Sequence, residues 1–124
     1  MTDADRIARL RVKLDDFNPR IWRRIEVPLA ISLKGLHEAI QAAMLFEGYH
    51  LFQFDVGGRR YAIPDPDWDD LRSTIDARNV NVGTLIDQGA TTFSYTYDFG
   101  DDWWHAITIE AVAPADPALD YPLR

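Results

Sequence analysis

The sequence predicts an α+β fold, a mostly antiparallel or mixed sheet with one main helix packed on one face. Three observations lead there. Residues 6–16 and 21–27 alternate apolar and polar side chains, the period of a half-buried strand. A single apolar stripe at helical spacing follows them, made of Leu33, Leu36, Ile40, Ala43 and Met44. The chain then returns to β-rich runs separated by turns that carry glycine.

In the first strand Ala8, Leu10, Val12 and Leu14 share one face, and Arg9, Arg11 and Lys13 the other. Asn18-Pro19 marks a turn. In the next run Ile21, Ile25 and Val27 point inward and Trp22, Arg24 and Glu26 outward, so the short connection implies an antiparallel hairpin. Arg23 breaks the pattern. Alternation puts its guanidinium on the apolar face, where arginine is rare unless paired, so an acidic partner such as Asp98 or Asp101 is expected. Pro28 stops the strand, and Ser32 is placed to cap a helix from Leu33 to about Phe46. Gly35 either weakens that helix by about 1 kcal/mol against alanine or admits a close neighbour. His37 and Gln41 stand one turn apart at the border of the stripe.

Glu47-Gly48 ends the helix, and Tyr49 to Val56 reads as a third strand with Phe52, Phe54 and Val56 on one face. Gly57-Gly58 is a two-residue hairpin turn into Arg59 to Ile63. Pro64 to Asn81, acidic and proline-bearing, reads as a long surface loop anchored by Trp68 and Leu71. Val82 to Asp87 reads as a helical turn, and Thr91 to Tyr97 and Trp104 to Val112 as strands. The domain is expected over residues 6–112, with a solvated leader at 1–5 and an extended tail at 113–124. The order of elements evokes a β-grasp architecture, a likeness of fold that carries no function.

Bulk properties narrow the function classes. At 124 residues the chain fits one domain, and 47% hydrophobic content supports a packed core. No cysteine is present, which excludes disulfides, thiolate metal sites and thiol nucleophiles. No apolar run approaches membrane-spanning length, so no membrane partner is expected and a cytoplasmic location is the default. The net charge of -7 disfavours nucleic acid at long range. The charge is polarised, however, with seven of the 13 lysines and arginines inside residues 1–28.

The densest chemistry lies in Tyr97-Asp98-Phe99-Gly100-Asp101-Asp102-Trp103-Trp104-His105, where three carboxylates, four aromatic rings and a histidine surround one glycine. Gly100 supplies the left-handed turn residue between two strands. With His37, Glu47 and His50 elsewhere, this stretch offers imidazole and carboxylate ligands for a divalent metal such as zinc. The metal reading centres on His50, Asp98, Asp101 and His105 and implies hydrolysis by an activated water. No pair has the tight spacing of a His-Glu-x-x-His helix. The structural reading has the acids capping the turn and neutralising Arg23, with His50 and His105 as polar stitches between strands and Trp103 holding the two halves together. The Asp98-Phe99-Gly100 tripeptide does not make a kinase, because no glycine-rich loop or His-Arg-Asp loop accompanies it.

Four ordered segments resemble one family. Pro19 to Pro28 is similar to its "P-x-I-W-R-R-I-x-V-P" opening, and Leu36 to Met44 to its "L-H-x-x-I-Q-x-x-M" helix. Glu47 to Phe54 is similar to its "G-x-H-L-x-x-F" strand, and Tyr95 to His105 to its "Y-x-Y-D-F-G-D-x-W-x-H" motif. This is the plasmid open-reading-frame-three-like family, whose members are often described as passenger (TnpR-type) proteins of insertion elements. The resemblance covers about residues 6–112. It implies an α+β domain tied to plasmids or mobile elements, with no established activity. Two departures stand out. The family usually has glutamate where this chain has Trp104, and members commonly continue past a Tyr-Pro step where this chain has Tyr121-Pro122-Leu123-Arg124, so a C-terminal portion is expected to be lacking.

The leading expectation is a non-catalytic binding or interaction module with a protein or peptide partner and no cofactor. A second is the small metal-dependent hydrolase. A third is a nucleic-acid-associated accessory protein, in which Arg9, Arg11 and Arg24 beside Trp22 supply phosphate contacts and stacking. Trp22, Trp68, Trp103 and Trp104 cannot all be core in so small a domain, and exposed rings mark contact surfaces.

Overall fold

The computed structural model describes residues 6–14, 21–44, 51–64, 74–97 and 103–123. They form one seven-stranded sheet carrying one main helix and one small one. The strands are β1 (Arg6–Leu14), β2 (Ile21–Pro28), β3 (Phe52–Val56), β4 (Arg59–Ala62), β5 (Thr74–Asp76), β6 (Thr92–Tyr97) and β7 (Trp103–Pro114); the helices are α1 (Leu33–Met44) and α2 (Val82–Asp87). Their spatial order is β2-β1-β7-β6-β3-β4-β5. Every pair is antiparallel except β4–β5, so the sheet is mixed.

The two hairpins follow their local chemistry. β1 and β2 pair without interruption from Ile7↔Pro28 to Leu14↔Ile21. Between β3 and β4, Gly57 and Gly58 both take positive φ (57° and 81°), which residues with a Cβ adopt at a cost, and this turns the chain in two residues.

Helix α1 starts where Ser32 Oγ accepts the Gly35 N–H at 3.0 Å. Gly35 is there for space: a Cβ would lie 2.8 Å from Ile31 Cγ1, so the Ile31 side chain packs against the bare backbone. Asn81 caps α2 through Oδ1, which accepts from Thr84 N at 2.8 Å. Backbone bonds from Leu33 N to Val80 O, Val82 N to Ile31 O and Gly83 N to Leu29 O tie the entrance of α1 to the entrance of α2.

The core lies between the sheet and these helices. Leu10, Val12, Ile25, Phe54, Tyr95 and Ile107 from the strands meet Leu33, Leu36 and Ile40 of α1 and Leu85 of α2, all at 0–1% exposure. Burying such a side chain stabilises by roughly 1.5–3 kcal/mol. The opposite face of the sheet carries Arg9, Arg11, Lys13, Trp22, Arg24, Trp104 and Thr108, and no helix among the described residues covers it.

Three expectations need correction. Residues 64–81 are not one loop: β5 pairs with β4, and a short 3-10 helix (Ala77–Asn79) follows, buried through Ala77. Three residues of edge strand are too short to show a period, which hid β5. Arg23 is exposed, not buried, and its Nη1 donates to Trp22 O at 2.8 Å. Arg23 pairs with Val12 two residues from the start of β2, where a long side chain reaches solvent although Val12 is fully buried. The tail is not simply extended. β7 runs through Pro114, a turn forms where Asp116 Oδ1 accepts from Ala118 N at 2.9 Å, and Leu123 bridges to Glu26 on β2.

Candidate functional site

Two groupings of polar and aromatic side chains could carry function. One is inside. Alternation along β6 sends Tyr95 into the core, and α1 lays His37 and Gln41 above it from positions one turn apart. Both polar residues are buried, at 7% and 6% exposure, rather than standing at the border of the stripe. Gln41 Nε2 donates to Tyr95 Oη at 2.8 Å, and the same hydroxyl lies 2.6 Å from His37 Nδ1. With Gln41 donating in, the hydroxyl proton is left for His37 Nδ1, which makes the imidazole the neutral Nε2–H tautomer.

Burial pushes His37 down to about 4; Glu38 opposes the shift and Lys34 adds to it. The ring also stacks on Phe52, with centroids 3.8 Å apart and planes at 10°. Burial pushes the Tyr95 hydroxyl well above its ordinary range, with the Gln41 hydrogen bond opposing. Directly across from Tyr95 on β7, His105 is fully buried with Nδ1 3.1 Å from the Tyr95 carbonyl. Gln41 Oε1 is buried without a hydrogen-bond partner among the described residues. At neutral pH His37 and Tyr95 are both uncharged. The cluster can clamp α1 onto the middle of the sheet, and its burial keeps it from a solvent-borne substrate.

Of the four expected metal ligands, only His105 falls among the described residues; His50, Asp98 and Asp101 lie outside them, as do Gly100 and Trp68. Among the described residues, no three histidine or carboxylate side chains converge. Trp103 is half-buried and packs against the core.

The second grouping faces out, at the β1–β2 corner of the uncovered sheet face. Trp22 is 43% exposed. The guanidinium carbons of Arg11 and Arg24 lie 5.1 and 5.5 Å from its ring centroid, within cation–π range. Register makes this inevitable: Lys13 stands opposite Trp22 and Arg11 opposite Arg24, all on the outward parity of adjacent strands. A bulge in β7 opposite Arg9 and Leu10 leaves Glu110 as the extra residue. From there Glu110 reaches over β1 and accepts from Arg24 Nε and Nη2 at 2.6 and 3.2 Å. Arg24 holds the Glu110 carboxyl below the usual carboxylate range, with Arg11 and Arg9 adding weakly. Arg9 is 3.7 Å from Glu26. Trp104, 40% exposed, sits at the same end of the open face, opposite Thr96 on β6.

Comparison with known proteins now places the chain. The description "Plasmid pRiA4b ORF-3-like protein" covers the family whose pattern matches residues 6–124. The chain belongs to this family. It is 44% identical over 110 residues to the uncharacterized protein y4hQ of Sinorhizobium fredii (strain NBRC 101917 / NGR234), a match covering 88% of this chain and 56% of that protein. The chain thus spans little more than half the length of that relative. A crystal structure of the protein of unknown function MM3350 from Methanosarcina mazei Go1 superposes with a TM-score of 0.84 at 29% identity, over 95% of this chain and 67% of the other. The family match reaches ten residues beyond the end of β7, so it takes in the tail that bridges to β2. Within this plasmid pRiA4b ORF-3-like chain, Trp104 lies on the open face with Trp22, while the matched histidine and glutamine of α1 lie in the core.

Sequence reasoning named the outward corner but missed the inward cluster. Its signal was present: His37 and Gln41 extend the apolar stripe of α1 by one position each, and Tyr95 shares parity with Phe93 and Tyr97. A polar pair on a buried stripe needs a facing hydroxyl, and β6 has one.

Proposed function

We propose that this chain is a non-catalytic binding module that contacts another protein or peptide through the Trp22 corner of its open sheet face. The observation that carries this reading is Trp22 itself, a large indole left 43% exposed between two guanidiniums on a face that no helix among the described residues covers. Tryptophan and arginine dominate the energetics of protein interfaces, because both give large contact area with directed polar ends. Arg11 and Arg24 hold the ring in place before any partner arrives, which lowers the ordering cost of binding. The reading takes the module as cytoplasmic and carried with plasmids or mobile elements, the setting that the family's name points to.

The same arginine–tryptophan pairing favours a second reading, stacking of single-stranded nucleic acid. Glu26 and Glu110 stand on the same face, and the chain carries -7 overall, so a backbone with a phosphate at every residue meets more repulsion there than a peptide bearing a single glutamate. Amide chemical-shift mapping tests the choice. Titration with a short glutamate-bearing peptide is expected to move resonances of Lys13, Trp22 and Arg24 and to leave those of α1 in place. Shifts confined to other surfaces would refute the reading, and shifts produced only by oligonucleotide would replace it with the second.

A further inference from the structure

The Tyr95 hydroxyl stands between a donor and a base. Gln41 Nε2 donates to it at 2.8 Å, and it lies 2.6 Å from His37 Nδ1. Gln41 Oε1, the other end of the same carboxamide, is buried without a hydrogen-bond partner among the described residues. An acceptor left in that state is costly. A half-turn of the carboxamide exchanges its oxygen and nitrogen within nearly the same space and brings Oε1 to the hydroxyl. The atom without a partner is then Nε2, and both bonds to the hydroxyl are kept.

A hydroxyl has one proton to give, so the direction of the whole chain follows from where that proton points. With Nε2 turned in, Gln41 donates to Tyr95 and Tyr95 donates to a bare Nδ1. With Oε1 turned in, Tyr95 donates to Gln41, and its oxygen accepts from Nδ1–H. Imidazolium carries a proton on both ring nitrogens, so only the second direction satisfies it. A charged donor to that oxygen also makes a stronger bond than a neutral one. The described charged or titratable groups around the ring are Lys34 and Glu38 on α1 and Tyr95 and Tyr97 on β6. From β3 comes Phe52, stacked on the imidazole, and His105 of β7 lies against Tyr95. Among the described residues, the Tyr95 hydroxyl is the group within hydrogen-bond distance of Nδ1.

We infer that His37, Tyr95 and Gln41 form a two-way hydrogen-bond relay, in which a proton gained by His37 reverses both bonds and turns the Gln41 carboxamide. Both directions join α1 to β6 through the same three side chains. The clamp therefore holds while the imidazole is charged, and acid changes its polarity. Burying the cation still carries a penalty, so stability falls as pH is lowered. The relay keeps that fall from becoming a break between helix and sheet.

The test is nitrogen NMR of the isotope-labelled chain, followed from neutral pH downward. At neutral pH His37 is expected as the Nε2–H tautomer. As pH is lowered, the Gln41 side-chain amide signals are expected to move in step with the His37 ring nitrogens, at one midpoint and with the backbone spectrum still folded. Gln41→Met fills the space of the carboxamide but offers no oxygen, and His37 in that variant is expected to bind its proton about tenfold more weakly. Gln41 signals that stay still while His37 titrates would overturn the relay. So would an Nδ1–H tautomer at neutral pH, which leaves nothing to reverse. Loss of the folded spectrum before His37 titrates would overturn the claim that the clamp holds through the change. Unaltered proton affinity in Gln41→Met would also overturn it, because the hydroxyl would then be turning without the amide.

Discussion

The His37–Gln41–Tyr95 cluster and the Trp22 corner are built from similar materials, aromatic rings held by hydrogen-bonding or charged partners, yet the sheet puts them on opposite faces. Inside, hydrogen bonds are made between neutral groups at 2.6 and 2.8 Å on side chains no more than 7% exposed. Outside, charges meet an exposed ring and each other in high dielectric. Polar groups under cover serve the fold, because leaving any one unpaired there is costly. Polar groups in water contribute little to folding and stay available to a partner. Parity along the strands decides which is which.

That contrast can be broken from either side. The largest effect is expected from Tyr95→Ala, which empties the centre of the core and strips His37 and Gln41 of their shared hydroxyl; a loss of about 3–5 kcal/mol in urea denaturation fits large-to-small substitutions of buried rings. Next comes pH. The folded chain holds His37 at about 4, below the 6.5 of an unfolded histidine, so between those values the unfolded chain binds a proton that the folded chain refuses. Stability is therefore full above about pH 6.5 and falls as pH is lowered, by on the order of 2 kcal/mol at pH 5. Thermal melts across that range are expected to slope, and His37→Gln is expected to flatten the slope; an unchanged slope would show His37 protonating freely.

Smaller effects belong to the corner. Trp22→Ala is expected to cost about 0.5–1 kcal/mol, the scale of exposed cation–π contacts. Arg23→Ala is expected to stay within about 0.5 kcal/mol, as for an ordinary surface substitution. A loss of several kcal/mol on removing Arg23 would mean that it has a buried carboxylate partner after all.

Much of this architecture is legible in the sequence because the relevant signals are local. Alternation in residues 6–14 gives β1 and its faces, Gly57-Gly58 gives a hairpin, and the stripe from Leu33 to Met44 gives α1. What is not legible depends on neighbours distant in sequence. β5 is a strand only because β4 offers an edge to it. Arg23 has inward parity but outward placement, because it sits near the end of its strand. Glu110 meets Arg24 through a bulge that no residue preference announces. The outward Arg–Trp patch is readable as a set of residues; its place at the margin of the sheet is not, since that requires knowing that β2 comes last among the described strands.

The central claim is that the sealed cluster maintains the fold while the open corner makes the contact. Anisotropy of a labelled glutamate-bearing peptide, measured side by side on Tyr95→Phe and Arg11→Ser with melting temperature recorded for each, addresses both halves. Tyr95→Phe is expected to melt lower, by the about 1–3 kcal/mol of a buried pair left unsatisfied, and to bind as the wild type does. Arg11→Ser is expected to melt as the wild type does and to lose the peptide. Peptide binding lost with the Tyr95 hydroxyl but kept without the Arg11 guanidinium would contradict the account.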